Sequence, residues 1–553
     1  MSMKPGGRGV MSMRTKRAAV RLRRFRRDES GSILIFGIIM LTMVILLCGL
    51  ALDVIHFEAE RTTAVATLDR AVLAAADLSN TTKPQDVLND YFAKAGISRF
   101  KPVAAASYGT LNEWKKVSGT VDVKTDTWFL RHTGVYSLEA PSSAVAQESI
   151  GNVEISMVLD VSGSMANDSM KVYDSASGKY VYKLTLLKPA AVQFVKTMFT
   201  NVSGAGGTGG NLMISIVPYA EQVNISSALA AKMTLTTEHT MSNCVDFIGS
   251  DFNSVAITPT ETLARTAYAD VRPAAYHPSS YAAPYLRECF GYDTTPISPV
   301  LAFSQNQQTL IDKINALTAE GDTAIEIGAK WGLALLDPAI RPALNKMVTA
   351  GTVDKSLTDH PTAYKSNDTL KIMVLMTDGE NTYTFRLKNY RSGNSNMVYN
   401  QTTSKGVTTT NYYWYDSSRS SNKYYDFANS KWTSVSNSVT MTWPQVWQNW
   451  NVDYFAKTYA AKASGMTAAA FMSAAVDSSD NAAKDSRLSS VCTKAKDAGT
   501  KIFAIAFGAG PAGQAALKDC VSAPAYYYES SGTDIATAFA GIANSIRMLR
   551  LTQ

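Results

Sequence analysis

The chain has 553 residues, 46% hydrophobic and 18% charged, with a formal net charge of +7. That is long enough for two or three domains and apolar enough for a sizeable core, which excludes a disordered or fibrous chain. Ten Lys and Arg, against two acids, fall within residues 1–30 and the rest is close to neutral, so the charge marks a local tail and excludes a general nucleic-acid-binding face.

In chain order, residues 1–29 form that basic tail, ending in Arg21 to Arg27, RLRRFRR. The uncharged run from Ser30 to Leu52 follows, about 23 residues and enough to cross a bilayer core as a helix. Asp53, His56 and Glu58 end it sharply. No small-residue cleavage site follows, so residues 30–55 are expected to be a retained transmembrane helix. Cations stay on the cytoplasmic side, which places the amino terminus inside and the body outside. Glu60 to Leu78 continues with Val65, Leu68, Val72 and Ala75 at helical spacing, so residues 56–99 are expected to be largely helical beyond the membrane. Residues 100–150 read as a small β-rich stalk, with Val117 to Val123 alternating as a half-exposed strand and a helical turn near Thr127 to His132.

The segment Asp28-Glu29-Ser30-Gly31, the long apolar run, Asp53 and then LDRAVLAAADL resembles the TadE/TadG-like proteins of Flp pilus assembly. That resemblance implies a single-pass, pilin-like protein. Gly31 stands where a prepilin peptidase would cut, but Phe36 replaces the acidic residue expected five positions later, so an unprocessed anchor is expected.

Glu154 to Met165, EISMVLDVSGSM, is a buried strand ending in Asp160 and then two hydroxyls, Ser162 and Ser164. Hard oxygen donors in this spacing suit Mg²⁺ or Mn²⁺; an Asx/Ser turn capping the next helix would read the same way. Gly321-Asp322-Thr323 places a hydroxyl ahead of a helical run, Ala324 to Leu336. Lys371 to Asp378, KIMVLMTD, is a second apolar strand ending in a carboxylate. Parallel strands of an open α/β sheet bring their carboxyl ends to one edge, so Asp160, Ser162, Ser164, Thr323 and Asp378 can converge. These three motifs together resemble the metal-ion-dependent adhesion site of a von Willebrand factor A domain. Asp322 replaces a residue that is more often small in such domains, and is a secondary metal candidate. The fold expected for residues 151–553 is therefore a doubly wound, mainly parallel α/β sheet of von Willebrand A type (Rossmann-like).

Three stretches exceed a minimal domain of this kind: about 166–182, with Tyr173, Tyr180 and Tyr182; about 236–304; and about 380–450, with Trp443, Trp447 and Trp450. These aromatics, among Ser and Asn, read as partner-binding candidates on loops, and the low aliphatic content and long polar runs imply that parts of these loops order only when a partner binds. Ser203 to Gly210, SGAGGTGG, lacks the Lys-Ser/Thr of a phosphate loop and reads as a linker.

Five cysteines occur. Cys48 lies in the membrane run. Three pairings of the other four are open, with Cys244–Cys289 and Cys492–Cys520 favoured. There is no Gly-x-Ser-x-Gly and no His-Glu-x-x-His, and His56, His132, His239, His277 and His360 all lie away from the Asp160 and Asp378 loops in sequence. Ser162 stands where an aspartyl phosphotransferase would usually carry a second carboxylate. Binding is therefore expected rather than catalysis: a metal offering its open position to an Asp or Glu of a protein partner, in pilus assembly or surface attachment. A structural minor pilin or scaffold with the metal as a fold staple is the alternative, and an Mg²⁺-dependent hydrolase a remote one. The expected setting is the bacterial inner membrane, with the A domain periplasmic or extracellular.

Overall fold

The computed structural model describes residues 30–551 except 78–79, 109–113, 150–151, 176, 204–211, 274, 276–280, 291–296 and 366–368. The basic tail, the glycine-rich 204–210 stretch and His277 lie outside the described residues. The chain divides into two compact units, Met1–Ser149 and Ile150–Gln553.

In the first unit a single 47-residue helix, α1 (Ser30–Ala76), carries both the apolar run and the amphipathic stretch that follows it. Its first part exposes large apolar side chains such as Ile33, Leu41 and Leu47. Its later part buries Ala64, Leu68, Val72 and Ala75 against α2 (Pro84–Lys94) and an antiparallel sheet of β1 (Val103–Tyr108), β2 (Trp114–Asp126) and β3 (Ser137–Ser149). Val117, Val121 and Val123 of β2 face this core, which is the alternation the sequence shows. The helix beyond the apolar run and the β-rich block thus share one core.

The second unit is built on a six-stranded sheet. β4 (Asn152–Asp160) is followed by the short hairpin β5 (Val172–Asp174) and β6 (Lys179–Val181), helix α3 (Lys183–Ser203) and β7 (Leu212–Tyr219). Then come β8 (Leu301–Ser304), α4 (Gln307–Asn315), α5 (Ile325–Ala334), α6 (Arg341–Thr349) and β9 (Thr369–Thr377). After a large insertion the domain resumes with α9 (Asn481–Ala498), β17 (Lys501–Phe507), α10 (Pro511–Cys520), β18 (Tyr527–Ser530) and α11 (Ile535–Leu551). Strand order is β8-β7-β4-β9-β17-β18, all parallel except the edge strand β8. Alternate side chains of the central strands feed two cores. Ile155, Met157 and Val374 meet Leu187 and Phe194 of α3 and Phe539 of α11 on one face. Val158, Met373 and Leu375 meet Trp331 of α5 and Leu488 of α9 on the other. Gly328 and Gly332 let α5 lie directly on Tyr219 and Val158, where a β-carbon would collide.

The insertion runs from β10 (Thr384–Leu387) to β16 (Val476–Ser479), which pair antiparallel and close it at its base. It therefore ends about thirty residues later than the sequence suggests, and the helix near Tyr454 belongs to it. Between them lie β11 (Asn394–Ser404), β12 (Val407–Tyr415), β13 (Tyr424–Asp426), β14 (Lys431–Thr433) and β15 (Val439–Thr442), forming a five-stranded sheet, then α7 (Trp443–Asn449) and α8 (Ala468–Ala475). Trp443, Trp447 and Trp450 are buried here around Phe455. Trp447 also donates its indole N–H to Tyr390 O at 2.7 Å. These tryptophans are a core, not an exposed binding surface, and the segment is built of regular strands and helices. Aromatic rings supply the buried area that aliphatic side chains supply elsewhere. The 236–304 insertion, by contrast, ends earlier than the sequence suggests, because Leu301–Ser304 is the edge strand of the main sheet. Disulfides join Cys244 to Cys289 and Cys492 to Cys520, with Cα atoms 6.0 and 5.2 Å apart.

Candidate metal site

β4 and β9 are neighbours in the centre of the sheet, and Asp160 and Asp378 stand at their carboxyl ends. Ser162 Oγ lies 2.9 Å from Ser164 Oγ, and Ser164 Oγ donates to Asp378 Oδ1 at 2.7 Å. Adjacent oxygens of an octahedral Mg²⁺ shell are about 3 Å apart, and these two separations are of that size. Asp160 is fully buried; its Oδ1 accepts the Ser162 N–H at 2.8 Å and its Oδ2 accepts Thr377 Oγ1 at 2.7 Å and Tyr219 OH at 3.3 Å.

Thr323 is brought in by its main chain. The Gly163 N–H donates to Gly321 O at 2.8 Å, and the Glu320 N–H to Val161 O at 2.8 Å, clamping the second loop to the first. Thr323 N–H donates to Thr382 Oγ1 at 2.9 Å, while Thr382 N–H returns a bond to Thr323 O at 3.0 Å, which ties the second loop to the third. Lys484, buried on α9, donates to both Thr323 O and Thr382 O at 2.9 and 2.8 Å. Gly321 sits at φ +80°, and a β-carbon there would strike the Glu221 carboxylate.

Asp322 is engaged elsewhere: its Oδ2 accepts Arg272 Nη1 at 2.7 Å, within a buried group that includes Glu221 and Glu288. Burial, offset in part by Arg272, pushes Glu221 up to about 7. Among the described residues no three His, Cys, Asp or Glu gather as a metal cage, so the candidate rests on two carboxylates with hydroxyls. Burial, and then the charge of Asp378, push Asp160 up to about 6. Two neighbouring buried carboxylates are an unfavourable pair until a cation joins them. The donor set therefore fits a hard divalent ion.

Sequence reading missed Lys183. Its ammonium, 7% exposed, lies 3.0 Å from Asp378 Oδ2 and also donates to Asp378 O at 3.2 Å. Asp378 Oδ1 is thus the atom left toward the hydroxyls. Position 183 opens α3 directly after the first loop, but nothing in the sequence marks a lysine there as inward-facing. Tyr219, Thr377 and Lys484 were missed for the same reason. Of the aromatic candidates, Tyr173 and Tyr180 on the β5–β6 hairpin and Tyr182 just after it are exposed, at 53%, 69% and 36%. Tyr173 and Tyr180 pack edge to face across it.

Residues 31–78 match the Flp pilus-assembly TadE/G-like family model. No curated protein matches the chain. Among solved structures, the von Willebrand domain of the type V pili tip protein Mfa5 from Porphyromonas gingivalis aligns at 14% identity over 72% of this chain and 97% of that one, with a TM-score of 0.30. The PilB minor pilin from Streptococcus sanguinis aligns at 11% identity over 81% and 78%, also at 0.30. The adhesive tip pilin GBS104 from Group B Streptococcus agalactiae aligns at 10% identity over 81% and 68%, at 0.28. These likenesses are loose.

Proposed function

We propose that the chain is a membrane-anchored, pilus-associated binding protein whose second unit is a von Willebrand A-type domain with a metal-dependent adhesion site. The observation that carries this reading is the meeting of Ser162, Ser164 and Asp378 Oδ1 at hydrogen-bond distance, beside Asp160, where the two central strands end. The strand order supports the domain type, and the match at residues 31–78 supports the pilus setting. Ser162, Ser164 and Asp378 would hold Mg²⁺ or Mn²⁺ with Asp160 and Thr323 around them; a divalent ion held largely by hydroxyls supplies a Lewis-acidic face for a partner's Asp or Glu. Tyr173, Tyr180 and Tyr182, exposed just after the Asp160 loop in the chain, would supply rigid contact area for that partner. The role is binding; no catalytic residue is assigned. In this reading the basic residues before the apolar run stay on the cytoplasmic side and the body stands on the outer side of the bacterial inner membrane.

A second reading, a structural minor pilin or assembly scaffold, is favoured by Lys183, which gives Asp378 a built-in positive partner with no metal. The two separate in cells. Under adhesion, Asp160→Ala abolishes attachment while pili still assemble. Under the structural reading, attachment and pilus number both survive Asp160→Ala. Trp447→Ala, which would otherwise test an insertion contact, tests only folding, because Trp447 is core.

A further inference from the structure

The end of the membrane run in the first unit is built unusually. Asp53 is the first charged residue after it, yet Asp53 is only 6% exposed. Its carboxylate accepts three main-chain N–H groups of the β2–β3 loop: Trp128 at 3.0 Å, Phe129 at 2.8 Å and Leu130 at 2.7 Å. A carboxylate so satisfied needs little water and can sit flush with hydrocarbon. The loop is closed on itself, with Thr127 donating from N–H to Tyr136 O at 3.1 Å and from Oγ1 to Val135 O at 2.6 Å. Phe129 lies on α1 at Gly49, where a β-carbon would run into its ring. Gly49 is one helical turn, about 6 Å, inside the apolar run.

What the loop exposes matches a lipid boundary. Trp128 is 67% exposed and Tyr136 68%, with Val135, Arg131 and His132 also exposed. Trp128 stacks on His56 of α1 at 5.7 Å. Tryptophan and tyrosine favour the headgroup level, where an apolar ring and a polar edge are both satisfied, and cations there meet lipid phosphate. Exposed large aromatics are otherwise costly beside an apolar helix.

We propose that residues 127–136 form a membrane-interface collar, in which Asp53 fixes the loop to α1 so that Trp128 and Tyr136 seat in the lipid headgroup region at the outer end of the span. The occupant is lipid because the loop is continuous with the membrane run through Phe129 and Gly49. This inference rests on the reading of α1 as a membrane anchor. Its physical consequence is that the first unit is held at fixed depth and orientation by two contacts, the helix and the collar.

The test uses the full chain in a Cys48→Ser background, reconstituted into phosphatidylcholine–phosphatidylglycerol vesicles. A single cysteine at position 43, 128, 136 or 145 carries an environment-sensitive fluorophore. Val145 is the water control: it is 60% exposed on β3, eight residues beyond the loop end of that strand, roughly 27 Å along it. Lipids brominated near the headgroup should quench and blue-shift positions 128 and 136 but not 145, and lipids brominated deep in the chain should quench 43. Asp53→Ala should lose the quenching at 128 and keep it at 43. Quenching at 43 with water-like emission at 128 and 136 overturns the collar and leaves the anchor. Absence of quenching at 43 overturns both. A disulfide-linked dimer through an unlabelled position-128 cysteine, without lipid quenching, assigns the loop to a second copy and also overturns the collar.

Discussion

The two ends of β4 and β9 carry opposite electrostatic designs. At the amino end Glu154 and Lys371 are register partners on adjacent strands. The Glu154 carboxylate takes Lys371 on one oxygen, and His360 at 2.7 Å with the Thr362 N–H at 2.8 Å on the other. Burial pushes Glu154 up, but the His360 hydrogen bond and the Lys371 charge more than offset it, and the group lies below its ordinary 4.5. At the carboxyl end the same strands present two carboxylates, and Asp160 is pushed the other way, up to about 6. One end is a closed ion cluster that holds the strands in register. The other keeps like charges together, with hydroxyls turned toward them. Their difference lies in how the charges balance: Glu154 meets Lys371 and His360, whereas at the other end Lys183 is paired with Asp378 and Asp160 is held by hydroxyls and an N–H alone.

Substitutions can break this comparison. The largest effect is expected at the closed end. Glu154→Gln leaves Lys371 buried without its counter-charge and should cost about 3–5 kcal/mol at pH 7 in urea unfolding. Because the folded carboxyl lies below 4.5, its contribution is full above that pH and is lost as pH falls, so wild type and variant should converge under acid. A pH-independent gap would mean the residue acts by packing.

At the open end, Lys183→Met removes the one ammonium on Asp378 Oδ2 and should cost about 2 kcal/mol in chelator. Added Mg²⁺ should recover most of it, whereas a loss that ignores Mg²⁺ would make Lys183 purely structural. Asp160→Asn relieves the repulsion from Asp378 and should change stability in chelator by no more than about 1 kcal/mol. It should abolish the response to metal. The smallest effect is on pH: with Asp160 near 6, the Mg²⁺-induced rise in melting temperature should be full at pH 7.5 and fall through pH 6, because the protonated group no longer attracts the ion. A rise unchanged at pH 5 would remove Asp160 from the site.

Much of the frame was legible. The membrane run, the continuing helix, the alternation of Val117 to Val123 and the two strands ending in Asp160 and Asp378 follow from periodicity and from charges at strand ends. The aromatic insertions were not sorted by composition, because Tyr, Trp, Ser and Asn occur in both. Spacing did carry a signal: Trp443 and Trp447 fall at i and i+4 on one face of α7, and Trp450, just past its end, is buried with them. Tyr173 and Tyr180 are cross-strand partners in a three-residue-strand hairpin too short to bury them, and are exposed. The supporting residues of the site, Lys183, Tyr219, Thr377 and Lys484, were illegible because each acts across long sequence separations that no local pattern encodes. Asp322 read as a ligand only because its partner Arg272 is fifty residues away.

The most direct test of the open end as a cation site is thermal unfolding of the full chain in detergent, in chelator and then with Mg²⁺ or Mn²⁺. A ligand that binds only the folded protein raises the midpoint with its occupancy, by about 2.7 kcal/mol of stability at a hundred times Kd. The account expects a saturable rise in wild type that is absent in Asp160→Asn. Equal midpoints with and without metal in wild type would contradict it and leave the Asp160–Asp378 edge a structural feature.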